Sequence, residues 1–394
     1  MIYRRFGKTE LSMPVLTCGA MRFQQSWKDL DAHELDPQKQ AVLEAAVRRA
    51  VDAGITHVET ARGYGTSEVQ LGLVLPSLRR DRLLVQTKIG PKDSEEEFLA
   101  TFETSLKKLQ LDYVDLLAVH GINTHEIIDQ TLHKGTLKAC RRLQAEGRAR
   151  HIGFSTHGPT DVIVAAIETG EFSYVNLHWF YFDQAHWPAI VAARRRDMGT
   201  LIISPNDKGG KLYEPPDRLT QLCHPLTPMG FNDLFCLSHE EVHTISIGTS
   251  RPEDWDAHLA VLPLLGQAGQ KLAPVMQRLH RELARCCGQD WADHWQEGLP
   301  PVVHVPEELP LYHIVRMVNL ARAYDMVEFG KMRYNLLGSG GHWFPGQKVD
   351  KVNGDLLARA LEGYRFAGRI PDMLRDAHRW FNAEDKKRLS ESEA

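Results

Sequence analysis

His57-Val58-Glu59-Thr60-Ala61-Arg62-Gly63-Tyr64-Gly65 reads as the end of a strand, 56–61, running into a Gly-flanked turn that opens a helix near Thr66-Ser67-Glu68. A strand tip that presents a carboxylate and then a phenol on the following turn can handle protons. An unperturbed tyrosine titrates near ~10. To act as an acid at neutral pH it needs a cation beside it, and a carboxylate to hold that cation. Lys88 ends the next apolar run, 83–88, and His120 ends the one after, 114–120. Successive strands therefore carry polar residues at their C-terminal ends, where parallel barrels keep their chemistry.

Outward from that stretch the chain repeats strand and helix. A short hairpin is expected from Tyr3-Arg4-Arg5-Phe6-Gly7 and Leu11-Ser12-Met13-Pro14, placed as a plug across a barrel bottom, followed by a strand at 15–21. A polar insertion, 24–36, contains Trp27, and a helix at 37–53 has its apolar residues at helical spacing. Further strands are expected at 83–89, 113–120, 149–155, 174–179, 200–204 and 243–247. Helices are expected between them at 67–79, 93–109, 126–146, 160–168 and 188–197. Alternation at this spacing implies a parallel sheet, and eight repeats imply closure into a (β/α)8 TIM barrel of the α/β class.

In this order the residues Glu59, Tyr64, Lys88 and His120 resemble the aldo/keto reductase family, whose working tetrad is Asp, Tyr, Lys and His on successive barrel strands and loops. Glu59 stands where most members have Asp. The resemblance covers residues 1–265 and implies reduction of an aldehyde or ketone by hydride from a nicotinamide cofactor, with Tyr64 as the acid. It also implies a cofactor site. Gly153-Phe154-Ser155-Thr156 sits where the family has a Gly-x-Ser-Asn turn that holds the nicotinamide carboxamide, so Ser155 carries over and Thr156 replaces the Asn. Asn176 falls on the matching position of the sixth barrel strand, whereas the neighbouring Gln of many relatives is Leu177.

Two loops fit the rest of such a cofactor. Ser204-Pro205-Asn206-Asp207-Lys208-Gly209-Gly210-Lys211-Leu212 offers small residues and backbone N–H groups to a pyrophosphate; Ser204, Asp207, Gly209 and Leu212 are the positions expected to bind it. At the eighth strand, Gly248-Thr249-Ser250-Arg251 precedes Pro252, so its N–H groups and Arg251 could meet a 2′-phosphate. Relatives carry another Arg where Asp254 stands here. NADP is thus favoured by resemblance, with NAD still open. The competing reading of each residue is structural: a barrel ion pair for Lys88 and Glu59, a core histidine for His120, and solvated loop charges for Arg62, Lys211 and Arg251.

The chain has 394 residues, a formal net charge of -4 and a hydrophobic share of 43%. Its length suits one barrel of about 250 residues and a further region. Its charge gives no sign of a nucleic-acid or membrane-surface partner, and no apolar run approaches the ~18 residues of a membrane span. Met1-Ile2-Tyr3-Arg4-Arg5 leads into polar sequence, not a signal-peptide core, so a cytoplasmic protein is expected. Cys18, Cys140, Cys223, Cys236, Cys286 and Cys287 form no C-x-x-C pair, and buried thiols are expected in place of a disulfide framework or metal site.

Residues 266–394 read as an additional C-terminal helical region, with helices at 272–286, 305–325 and 370–381. In one branch of the family the tail is ferredoxin-like and binds [4Fe–4S] clusters through cysteine runs. Val303-His304-Val305-Pro306 and Ile370-Pro371-Asp372-Met373 resemble the text that follows such runs, while the cysteines are gone. A cluster needs four thiolates, so no iron–sulfur cluster is expected. Phe329-Gly330-Lys331-Met332-Arg333-Tyr334 and His342-Trp343-Phe344-Pro345-Gly346 put aromatic and basic residues on turns, as a packing domain or as a lid or surface for a protein partner. The end, 385–394, is polar and expected to fray. Three function classes fit: a reductase, a nucleotide-binding redox sensor or adaptor with a reductase-like barrel, and an electron-transfer protein, against which the lost cysteines argue.

Overall fold

The computed structural model describes residues 1–338 and 346–383. The run His342-Trp343-Phe344-Pro345 and the end 385–394 lie outside them. Among the described residues the chain divides into two compact units. One comprises Met1–Gly209 and Asn232–Gly266; the other comprises Gly210–Phe231 and the described residues from Gln267 onward. The segment 210–231, which the sequence places within the first 265 residues of barrel, groups with the C-terminal residues instead.

In the first unit, β1 (Tyr3–Arg5) and β2 (Ser12–Pro14) form an antiparallel hairpin. Eight parallel strands follow: β3 (Leu16–Gly19), β4 (His57–Glu59), β5 (Leu84–Ile89), β6 (Val114–His120), β7 (Ala149–Ser155), β8 (Tyr174–Leu177), β9 (Gly199–Ile202) and β10 (Thr244–Ile247). They pair in chain order, and β10 closes on β3. The observed strands are generally shorter than their hydrophobic runs. The expected helix at 126–146 is two, His125–His133 and Thr136–Ala145, parted at Lys134-Gly135 where helix propensity falls. That expected at 67–79 keeps α-helical form only over Ser67–Gly72.

The hairpin closes the N-terminal end by inserting one ring. Phe6 is fully buried and clusters with Met13, Leu116, Ala118, Tyr174 and Leu201 from the strand interiors. Its ring lies 5.8 Å from that of Tyr174 and 5.6 Å from that of His243. Gly199 makes room, since a Cβ there would fall 2.6 Å from three carbons of the Phe6 ring. Gly199→Ala should therefore cost about 1–3 kcal/mol of stability by overpacking. Urea unfolding should show a lower midpoint at unchanged slope, and Phe6→Leu in the same chain should recover part of the loss.

The second unit has its own apolar core. Trp291, Trp295, Ile314, Val318, Tyr334, Tyr364 and Phe381 are among its buried members. The last helix, Ile370–Phe381, buries Ile370, Met373, Leu374, Ala377 and Phe381, a stripe at helical spacing. Two polar side chains inside this core find partners: Trp291 Nε1 donates to Asn319 Oδ1 at 2.9 Å, and Tyr364 Oη donates to the Trp295 carbonyl at 2.6 Å. The long helix expected from 305 begins at Leu311, after a one-turn 3-10 segment at Pro306–Glu308 in which Glu307 and Glu308 take left-handed backbone angles. No helix among the described residues is long and apolar enough to cross a membrane.

Candidate active site

Alternation along a strand decides which side chains share the barrel interior. On β4 these include His57 and Glu59; on β5, Gln86 and Lys88; on β10, Thr244 and Ser246. Lys88 is 1% exposed. Its ammonium has three donors, and all three are used: toward Glu59 Oε2 in a close ion pair, the Thr60 carbonyl at 2.9 Å and Tyr64 Oη at 3.1 Å. The ammonium also lies 4.6 Å from the centre of the Tyr64 ring. Glu59 is 4% exposed, and its second oxygen accepts from Ser246 Oγ at 2.7 Å. His120 sets its ring edge-to-face against Tyr64, 5.7 Å between centres. The four residues read from the sequence thus meet in one place.

Burial of the phenol holds Tyr64 above its ordinary range, with the Lys88 charge pulling it part of the way down. The sequence alone suggests a lowered value; desolvation reverses the sign. A phenol that keeps its proton at neutral pH is what a proton donor needs. Burial pulls Lys88 down, yet Glu59 and Tyr64 together hold it above the usual ammonium range, so it stays charged. Beneath the pair, burial and the Lys88 charge push His57 down to about 3. His57 is therefore neutral, and its Nδ1 lies 2.8 Å from Thr17 Oγ1.

The turn that carries Tyr64 is tied to the polar insertion 24–36. Arg62 is buried, paired with Asp29 in that insertion and 3.8 Å from Glu68. It is thus no solvated loop charge. The Thr66 hydroxyl accepts from the Gln25 N–H at 2.8 Å, and the Thr66 N–H donates to the Ser26 carbonyl at 3.0 Å. Asp29 is one residue whose part in the site cannot be read from the sequence, because nothing local pairs position 29 with position 62. Ser246 is another, although its parity with Thr244 places it inside the barrel.

The expected cofactor residues divide. Ser155 and Asn176 are neighbours across β7 and β8 and are buried. Neither side-chain atom of Asn176 has a hydrogen-bond partner. A buried amide left so costs about 1–3 kcal/mol unless something meets it, and a carboxamide supplies the complementary donor and acceptor. Thr156 differs, because its hydroxyl is already committed within the chain. It donates to the Ile122 carbonyl at 2.6 Å and accepts from the Gly158 N–H at 2.9 Å, bracing the loop.

Ser204, Asp207 and Gly209 lie on the loop after β9, where the Lys208 N–H bonds the Ser204 carbonyl at 3.1 Å. Leu212 is buried and groups with the second unit. After β10, Gly248 is exposed and Thr249 buried. The N–H groups of Ser250 and Arg251 already donate to the Asp254 carboxylate, at 2.8 and 3.2 Å, and the Arg251 guanidinium pairs with it at 2.9 Å. The anion expected there is thus matched in part by the chain's own Asp254. Lys211 pairs with Glu214 at 2.7 Å.

The eight-stranded parallel barrel thus joins a carboxylate, an ammonium, a phenol and an imidazole at the C-terminal strand ends, where parallel barrels keep their chemistry. Comparison with known proteins narrows this. Residues 15–199 match the model of the aldo/keto reductase family. The chain is 36% identical over 136 residues to an aldo-keto reductase of Mycobacterium sp. (strain KMS), covering 34% of this chain and 48% of the relative. It is 29% identical over 176 residues to the L-glyceraldehyde 3-phosphate reductase of Escherichia coli (strain K12), 40% and 46% of the two chains. With the L-galactose dehydrogenase of Arabidopsis thaliana it shares 35% over 198 residues, 47% and 60%. The chain spans about half the length of the curated relatives it matches. Among solved structures, an aldo-keto reductase of Bacillus halodurans in its holo form superposes with a TM-score of 0.59 at 19% identity, covering 71% of this chain and 96% of that one. One from Klebsiella pneumoniae, in complex with NADPH, gives 0.53 at 18%, covering 68% and 95%. At these identities the likeness establishes the fold.

Proposed function

We propose that the barrel reduces aldehydes or ketones with a nicotinamide dinucleotide, Tyr64 acting as the general acid. The observation that carries this reading is the placement of one buried ammonium, Lys88, against both Glu59 and the Tyr64 oxygen. When bound, the dihydronicotinamide supplies the hydride. The chain's own residues do the rest. Tyr64 gives its proton to the carbonyl oxygen; Lys88 stabilises the phenolate that remains; Glu59 keeps Lys88 charged and aimed. His120, edge-on to Tyr64, orients the carbonyl from the other side. The unmatched Asn176 amide and Ser155 suit the carboxamide of the cofactor, and the loops after β9 and β10 suit its phosphates.

Family resemblance and the NADPH complex of the Klebsiella protein support NADP. The Asp254 carboxylate, already holding Arg251 and two N–H groups, weakens the charge preference for a 2′-phosphate. Titration with NADPH and with NADH, followed by tryptophan fluorescence, should therefore give saturable binding to both, with affinities within about tenfold, a difference of 1.4 kcal/mol. Failure of both to bind would overturn the reading. The second unit, in this reading, is held by its apolar core and carries no iron–sulfur cluster.

A further inference from the structure

The carboxylate at position 59 reaches further than the reaction requires, and the barrel has a place for it. Gly19 on β3 is the register partner of Glu59 on β4, and on its other side β3 pairs with β10, which carries Ser246. The Glu59 carboxylate and the Ser246 hydroxyl meet over Gly19, across the width of one strand, at 2.7 Å. Gly19 leaves the space open: a Cβ there would lie 2.5 Å from Ser246 Oγ and 3.3 Å from Glu59 Oε1. Both partners are nearly inaccessible, Glu59 at 4% and Ser246 at 5% exposed.

We propose that Ser246, reaching Glu59 over the bare backbone of Gly19, is a positioning residue of the site. Rotation of the Glu59 carboxylate is pinned at one oxygen by Ser246, so the other is presented to Lys88 in one orientation. Because every Lys88 donor is committed, that orientation fixes the ammonium against Tyr64. The extra methylene of Glu over Asp, Gly19 and Ser246 then form one set. An Asp at 59 would fall short of Ser246 by about one C–C bond, on the order of 1.5 Å. The titratable groups facing the phenol and ammonium are Glu59 and His57 on β4 and His120 at the end of β6. The proposal rests on the reading of Tyr64 as the acid, and its test is chosen to separate the two.

Tyr64 can be titrated without turnover, as the tyrosinate absorbance that parent protein shows and Tyr64→Phe lacks. Ser246→Ala should move that titration to higher pH, because a loosened Lys88 supports the phenolate less, and should lower kcat about tenfold with nucleotide affinity unchanged, the scale of one hydrogen bond to a charged group. Gly19→Ala should do the same by displacing the hydroxyl, and Ser246→Thr, which keeps a hydroxyl, should restore most of the parent titration. In a Glu59→Asp background, where the reach is already lost, Ser246→Ala should add nothing further. A parent-like titration in Ser246→Ala, or an equal shift in the Glu59→Asp background, would overturn the proposal while leaving Tyr64 as the acid. If instead no carbonyl is turned over yet the titration shifts as expected, the positioning role stands and the reductase reading fails.

Discussion

Tyr64→Phe should lower kcat by ~10²-fold or more, the range expected for loss of a general acid, with binding of the nicotinamide dinucleotide nearly unchanged. The phenyl ring keeps its edge-to-face contact with His120, so the packing at the mouth survives. What goes is the one hydroxyl that Lys88 reaches at 3.1 Å. Single-turnover rates on the best carbonyl, beside fluorescence titration of the same variant, separate loss of chemistry from loss of binding. Parent-like turnover in the variant would assign the proton to another group.

The second large effect belongs to Glu59→Gln. Glu59 and Tyr64 hold Lys88 above its usual pKa against burial, which pulls it down. Once the carboxylate is gone, burial prevails and the Lys88 pKa should fall. The sign in the parent is that of a group with a raised folded-state pKa: the stabilisation is fully present below the unfolded value, near ~10.4, and is lost as pH rises through the folded one. In the variant the alkaline limb of the rate should move to lower pH, because Lys88 gives up its proton earlier and no longer supports the Tyr64 phenolate. Removing one partner of a buried pair should also cost about 3–5 kcal/mol of stability. A pH profile and thermal unfolding of the variant check both, and a parent-like alkaline limb would reduce Glu59 to a structural partner.

Much of this site is legible in the chain because it lies where periodicity ends. Tyr64, Lys88 and His120 stand at or just beyond the tips of runs whose strand character is plain, so their order along the sequence is their order around the barrel mouth. The reading falters where a residue's fate depends on a remote partner. Arg62 looks like a loop cation until the insertion folds back and Asp29 meets it. Arg251 looks free for a phosphate, and three residues later Asp254 claims it. The Tyr64 pKa depends on how deeply the phenol is desolvated, which no local pattern encodes.

Elements show the same division. The break at Lys134-Gly135 is visible as a glycine but not decisive against an amphipathic pattern that continues past it. The segment 210–231 belongs with the C-terminal unit although it sits between two barrel strands in the chain, because its contacts are made more than fifty residues away, as when Arg278 Nε donates to the Leu222 carbonyl at 2.9 Å. Ser246 illustrates the middle case. Parity puts it inside the barrel, and only the geometry of Glu59 and Gly19 gives it a role.

Hydride transfer from cofactor to a carbonyl carbon is the central claim, and isotope transfer measures it most directly. Parent protein supplied with nicotinamide cofactor deuterated at C4 and a panel of aldehydes and ketones should yield, for at least one of them, an alcohol carrying one deuterium on the former carbonyl carbon by mass spectrometry. Tyr64→Phe should yield little of it under the same conditions. Saturable cofactor binding with no labelled alcohol from any carbonyl would contradict the account and leave a barrel that binds nucleotide without reducing anything.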